Sequence, residues 1–142
     1  MDEAFNINTE YLTDAELEQL SKHLDKYKEL HERDKLQSEF MEFVRHVWPS
    51  FIGGSHHKIF AEKLERVAKG ELKRLIVNMP PRHTKSEFAS YLLPAFAMGH
   101  KPSTKIIQAT HTGELAVRFG RKVRNLMDNE SYRQLFPDVA LR

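Results

Sequence analysis

Lys85 and Ser86 are the residues whose types and spacing point most directly to chemistry. They lie in LIVNMPPRHTKSEFAS, residues 75–90, between an apolar run and a helical pattern. Such a pair completes the phosphate-loop pattern G-x-x-x-x-G-K-[ST] between a strand and a helix. There the lysine reaches the β- and γ-phosphates, the serine hydroxyl joins the Mg²⁺ shell, and backbone N–H groups at the helix start bind phosphate oxygens. The pattern therefore predicts a loop that binds ATP and Mg²⁺.

The segment departs from that general pattern at both glycine positions, which Met79 and Thr84 occupy. Thr84 is the larger departure, because a β-branched residue is strained at the positive φ that glycine tolerates. The two prolines after Met79 stiffen the loop, and Arg82 offers a planar cation that can pair with phosphate oxygens. The alternative interpretation is a Pro-Pro turn followed by a helix that Ser86 or Thr84 caps.

The elements around this loop are predicted to alternate between strands and helices. Residues 75–79 and 105–110 have the apolar composition of buried strands, and helical patterns cover 55–70 and 112–128. Strand–helix–strand–helix order is typical of a parallel sheet covered by helices. We therefore predict the α/β fold class, preceded by N-terminal helices.

The N-terminal region is predicted to be helical and separate. Thr13 and Glu16 fit a capping box, and an apolar stripe follows at helical spacing through Leu30. A second helical pattern covers about residues 38–47. We divide the chain into a polar segment with an amphipathic helix, residues 1–36, and a nucleotide-binding portion, residues 37–142.

The composition narrows the classes of function. The chain has 142 residues, a formal net charge of +2 and no cysteine. The absence of cysteine excludes disulfides, thiol catalysis and cysteine-based zinc sites, and it suits a reducing cytoplasm. The sequence shows no secretory signal and no apolar stretch long enough for a bilayer.

Three segments together resemble the large terminase subunits of tailed bacteriophages and prophages, the motors that pump DNA into a capsid. They are NMPPRHTKSEFASYLLPAFAMG (78–99), KIIQATHTGELAVRFGRKVRNLM (105–127) and YRQLFP (132–137). That family has a glycine-poor phosphate loop, which often begins Pro-Pro-Arg-His before the Lys-Ser pair. The missing glycines therefore fit the family better than the general pattern. The resemblance extends from about Gln37 to the C-terminus.

The resemblance implies a RecA-like P-loop ATPase domain followed by a nuclease domain of the RNase H type. It implies that Lys85 binds the β- and γ-phosphates, that Ser86 binds Mg²⁺ and that Arg82 senses or stabilises the γ-phosphate, so that Arg82 and Lys85 are the catalytic residues. It also places His56 and His57 where the family contacts adenine. The implied nucleotide-binding residues are Pro81, Arg82, His83, Thr84, Lys85, Ser86 and His57.

The helix after the second predicted strand carries cations on one face. Arg118, Arg121 and Lys122 could contact DNA phosphates, and a solvated basic face is the alternative. The resemblance implies double-stranded DNA, a small terminase subunit and a portal protein as partners, and a homo-oligomeric ring in the full motor. It implies the host cytoplasm, at the capsid portal, as the location, with no membrane contact.

Other parts of such a motor are missing from the sequence. The second strand-borne carboxylate for Mg²⁺, the glutamate that activates water and the nuclease carboxylates have no counterpart here. We therefore expect the front portion of a longer protein, with no nuclease activity and little or no ATP turnover alone. The alternatives are another P-loop enzyme, such as a DNA translocase, helicase or small kinase, and a non-catalytic module. In the latter, the helix at residues 13–33 would dock on the small subunit or a neighbouring motor subunit.

Overall fold

The computed structural model describes residues 12–139, and every regular element in that range is a helix. A π-helical turn at Phe88–Leu92 joins α4 to α5. The residues form two compact units, one ending at Asp34 and the other beginning at Lys35, so that the boundary falls within α1. The helices are α1 Asp14–Ser38, α2 Phe40–Val47, α3 Ser55–Ala68, α4 Lys85–Glu87, α5 Leu93–His100, α6 Gly113–Met127 and α7 Glu130–Leu135.

The first unit consists of α1 up to the unit boundary, and its start confirms the predicted capping box. The Thr13 backbone N–H donates to Glu16 Oε2 at 2.8 Å, and the Thr13 hydroxyl donates to the same oxygen at 2.7 Å. These hydrogen bonds lower the pKa of the Glu16 carboxyl. The chain therefore enters the helix where its sequence predicts.

The predicted α/β fold class, with its parallel sheet and RecA-like core, is wrong for the structure. Neither residues 75–79 nor residues 105–110 form a strand, and no strand occurs anywhere between residues 12 and 139. A strand requires a neighbour that satisfies its backbone N–H and C=O groups, and neither segment has one. Apolar, β-branched composition predicts burial, but it does not supply the partner strand.

Side chains along residues 75–79 alternate between the core and solvent, as they do in any extended segment, with or without a partner strand. Leu75, Val77 and Met79 pack against the core, whereas Ile76 is 89% exposed. Ile107 in the other segment is 97% exposed. The apolar runs therefore bury only part of their side chains, and the remaining apolar surface faces solvent.

Aromatic side chains form the core of the second unit. Phe40 and Phe43 on α2 meet Phe96 on α5, with ring centroids 5.2 and 5.3 Å apart. Phe40 also packs edge-on against Phe88 in the π-helical turn, at 5.9 Å. Because Phe88 follows α4 directly, this core holds the helix that begins at Lys85.

Other contacts hold the middle of the same helical run. The buried Tyr132 hydroxyl of α7 donates to the Ala95 carbonyl at 2.7 Å, and Gln108 Nε2 donates to the Ser90 carbonyl at 3.2 Å. Gly70, the last residue of the predicted helical pattern 55–70, has a φ of 77°, the left-handed conformation in which glycine commonly ends a helix. Among residues 12–139, no helix has the length and apolarity needed to cross a membrane.

Candidate phosphate-binding loop

The loop before α4 surrounds an open concavity of about 340 Å³. Every residue from Pro81 to Glu87 lines it. The helical run from Lys85 to His100 begins among these lining residues. The predicted phosphate-loop residues Pro81 to Ser86 thus lie together around one space.

Thr84 has the backbone conformation that the missing glycine would have. Its φ is 56° and its ψ is 6°, in the left-handed region, at the residue that precedes α4. Arg82 is also left-handed, with a φ of 64°. For a residue with a side chain this region costs about 1–2 kcal/mol relative to ordinary backbone. The loop therefore holds two residues with side chains in the left-handed region, each at a conformational cost.

A hydrogen-bonded chain holds Thr84 in place. The Gly54 backbone N–H donates to His57 Nδ1 at 2.9 Å, so the ring hydrogen of the neutral imidazole lies on Nε2. His57 Nε2 then donates to the Thr84 hydroxyl oxygen at 2.8 Å. The Thr84 hydroxyl donates in turn to the His83 carbonyl at 2.7 Å.

The surroundings of His57 favour its neutral form. Its side chain is buried, and burial lowers its pKa, as do the nearby His56 and His83. The neutral ring is the form that accepts at Nδ1 and donates at Nε2. Both ring nitrogens are engaged within the chain, so His57 positions Thr84 and has no free nitrogen for an adenine base.

Lys85 closes the base of the loop. Its ammonium group donates to the Met79 carbonyl at 2.8 Å and so joins the two ends of the turn. An ammonium has three donors, and this contact uses one of them. The two other donors can turn to phosphate oxygens that enter the concavity.

The helix start contributes backbone donors. No side chain caps the helix at Thr84, and the first N–H to find a helical acceptor is that of Phe88, which donates to the Thr84 carbonyl at 2.9 Å. The first N–H groups of a helix have no partner within the helix itself. Ser86, in this first turn, has an exposed side chain. The arrangement suits a bound anion.

Arg82 and His83 form the outer rim. Both are exposed, and Arg82 has no ion-pair partner within the described part of the chain. The His83 ring nitrogen Nδ1 lies 2.9 Å from the Pro81 carbonyl. The rim therefore presents a cation to solvent beside the loop backbone.

An apolar groove of about 280 Å³ lies next to the loop. His56, Ile59, Phe60 and Lys63 of α3 form one side of it, and residues 75–79 form the other. The ring of His56 lies 5.7 Å from that of His83, which connects the groove to the loop. Its mainly apolar lining suits an apolar group.

The structure divides the three cations predicted to contact DNA. Lys122 Nζ contacts both carboxylate oxygens of Glu87 at 2.8 Å and lies 5.2 Å from the centre of the Tyr91 ring. Lys122 therefore links α6 to the first turn of the helical run from Lys85 to His100, which we call the loop helix. Arg118 and Arg121 are exposed on α6, away from its buried face.

Magnesium fits this loop only together with a nucleotide. Residues 12–139 contain no group of three histidine, aspartate or glutamate side chains that could hold a metal ion. Mg²⁺ commonly keeps several waters and binds through substrate phosphates with few protein ligands. The exposed Ser86 hydroxyl, beside the uncapped N–H groups, would be the residue to supply such a ligand.

Comparison of the chain with protein-family models, with curated proteins and with solved structures finds no match.

Two contacts of this site were not predicted from the sequence. The link from His57 to Thr84 joins residues 27 positions apart, and the link from Glu87 to Lys122 joins residues 35 apart. Local patterns do not report such pairs. The one available signal was Gly54 followed three residues later by a histidine, which matches the capping geometry seen at α3.

Proposed function

We propose that the loop at residues 81–86 binds the phosphates of Mg-ATP, and that the chain is the ATP-binding portion of a viral DNA-packaging motor of the terminase large-subunit type. The observation that carries this proposal is the left-handed Thr84 held by His57 at the start of an uncapped helix. A strained backbone conformation fixed by a buried side chain is typical of functional loops.

The loop residues have separate roles in this proposal. The uncapped N–H groups of the first helical turn and the ammonium of Lys85 bind the phosphate oxygens, since both are donors with positive charge character. The Ser86 hydroxyl completes the shell of the Mg²⁺ that arrives with the nucleotide. Arg82 reaches from the rim to the terminal phosphate, where a planar cation stabilises developing negative charge.

The adenine base enters the apolar groove in this proposal. His56 stands between that groove and the loop, and its ring can stack on a base. His57 does not contact the base in this proposal, and its role is to hold Thr84 in place.

In the full motor, ATP hydrolysis drives double-stranded DNA into the capsid. Arg118 and Arg121 are the proposed contacts to DNA phosphates, because they are exposed cations on one helix. The small terminase subunit, the portal protein and further copies in a ring are the proposed partners. The host cell cytoplasm, at the capsid portal, is the proposed location.

Calorimetric titration with ATP and Mg²⁺ tests the proposal. We expect the wild-type chain to bind, and Lys85→Met to lose roughly tenfold or more in affinity, because one charged contact is worth about 1.4 kcal/mol or more. Lys58→Met is the matched control, because it removes an exposed lysine of α3 and so changes the net charge by the same amount as Lys85→Met. It should bind ATP as the wild type does. Absence of binding by a folded wild-type chain would overturn the proposal.

The contact between Lys85 and the Met79 carbonyl favours a second candidate, a non-catalytic module in which Lys85 only braces the loop. In that case Lys85→Met lowers the melting temperature while added ATP stabilises neither protein. Under the first proposal, ATP raises the melting temperature of the wild type and not that of Lys85→Met.

A further inference from the structure

Helix α1 carries an exposed apolar stripe, which we define as Leu17, Leu20, Leu24 and Tyr27. None of the residues of α1 is buried. Leu17, Leu24 and Tyr27 are 38, 41 and 68% exposed, and Leu20 is partly exposed. Most helices in water owe their stability to packing of an apolar face. The α1 stripe is therefore a candidate interface for a partner.

The spacing of the α1 stripe suits another helix. Its four members are separated by three, four and three residues, which is the alternation of a and d positions in a coiled-coil heptad. The opposite face is charged, with Glu18 and Lys22 in an ion pair at 2.6 Å and both side chains about 70% exposed. The helix therefore has one narrow apolar seam and one solvated face.

We propose that the α1 stripe pairs with the same stripe of a second copy of this chain, in an antiparallel arrangement. In that register Leu17 lies opposite Tyr27 of the second copy, and Leu20 lies opposite Leu24 of the second copy. Two-fold symmetry repeats both layers, so every layer of the seam joins two apolar side chains. The proposal concerns only α1 and is independent of nucleotide binding.

The charges that flank the seam select the antiparallel orientation. Asp14 and Lys28 both occupy e positions, which face each other across an antiparallel pair. Each copy therefore places Asp14 against Lys28 of the other copy, twice per dimer. A parallel pair would instead bring His23 next to Lys28 of the second copy, and it would form no pair between Asp14 and Lys28.

Sedimentation equilibrium of the full chain over a range of concentrations tests the pairing. We expect a monomer–dimer equilibrium that Leu24→Glu abolishes. Asp14→Lys should weaken the dimer, and the double variant Asp14→Lys/Lys28→Asp should recover affinity. Both variants have the same unfavourable lysine in the first turn of α1, so a recovery would come from the restored charge pair. Asp25→Lys, on the outer face, is the control and should dimerise as wild type.

Three results would overturn the proposal: a wild-type monomer at every concentration, a dimer that Leu24→Glu leaves unchanged, or a double variant no better than Asp14→Lys. Helical content by circular dichroism distinguishes loss of pairing from loss of the helix.

Orientation has an independent test, because the chain has no cysteine of its own. We expect an equimolar mixture of Asp14→Cys and Lys28→Cys chains to be cross-linked by a short bis-maleimide, and neither chain to be cross-linked by itself. Cross-linking of each chain alone, without the mixed product, would show a parallel pair and contradict the proposed orientation.

Discussion

Thr84 is a β-branched residue at a backbone position with a positive φ, where such residues are strained. A threonine before the helix has no local reason to adopt a φ of 56°. His57 supplies the reason, since its Nε2–H finds its acceptor only while the Thr84 hydroxyl points toward α3. At this position the side-chain hydrogen bond offsets a backbone cost of similar size.

Replacing Thr84 tests that explanation. Thr84→Val keeps the β-branched shape and removes the hydroxyl, so a buried His57 donor loses its acceptor. We expect the free energy of unfolding to fall by about 1–3 kcal/mol. Thr84→Ser keeps the hydroxyl and should lose less than about 1 kcal/mol. Denaturant titration measures both, and equal stability of the valine variant and the wild type would contradict this account.

The lowered pKa of His57 predicts a dependence of stability on pH. The unfolded chain has the ordinary histidine pKa of about 6.5, so below that pH it binds a proton that the folded chain resists. The stabilising contribution of neutral His57 is therefore complete above about pH 6.5 and is lost as the pH falls toward the lower folded value. Unfolding free energies between pH 7.5 and 5 should decrease, and His57→Gln should flatten the slope.

His46→Gln is the control for the pH experiment, because His46 is exposed on α2. It removes a histidine but leaves the contact between His57 and Thr84 in place, so its slope is the reference for that of His57→Gln. If His57→Gln has the same slope as the wild type, proton uptake at His57 does not govern the stability of the loop.

At the scale of elements, α1, α2, α3 and α6 were predicted from the sequence, whereas the two predicted strands do not form. Thr13 and Glu16 cap α1 as their spacing predicts, and Gly70 caps α3. Those signals are local, since a helix satisfies its own backbone. Residues 75–79 and 105–110 carry strand-like composition, but strand formation depends on a distant partner that no local pattern reveals.

Lys122 also shows that a contact between distant residues cannot be predicted from a local pattern. Its position on α6 predicted an outward-facing cation, yet the structure directs it to Glu87 at the start of the loop helix. The pair is only partly exposed and lies between two elements. Its main effect is to link α6 to the candidate site.

A double-mutant cycle on Glu87→Gln and Lys122→Met measures that link. The side chains are each about a third exposed, so solvent screening limits the coupling to about 0.2–1 kcal/mol in favour of the pair. The coupling should shrink in high salt. A coupling of zero at low salt would show that the contact between α6 and the loop helix contributes no stability.

At the scale of the whole molecule, the aromatic core of the second unit supports the loop. Phe40 is fully buried and contacts Phe88 in the π-helical turn directly after α4. The candidate site therefore directly precedes a residue of the buried aromatic core.

Truncating this core should affect the whole second unit. Phe40→Ala removes a fully buried ring, and we expect the free energy of unfolding to fall by about 3–5 kcal/mol. Ile52→Ala, at a side chain that is 89% exposed, should stay within about 0.5 kcal/mol of wild type. Thermal or denaturant unfolding compares the two, and similar losses would contradict the assignment of the core.

The central claim is that the loop from Pro81 to Ser86 holds nucleotide phosphate. Two-dimensional amide NMR spectra with and without Mg-ADP test it most directly, because they report each backbone N–H. We expect chemical-shift changes concentrated at Arg82 to Glu87, and we expect Lys85→Met to reduce them strongly. Unchanged loop amides in the wild-type chain at saturating nucleotide, or shifts confined to α6, would contradict it.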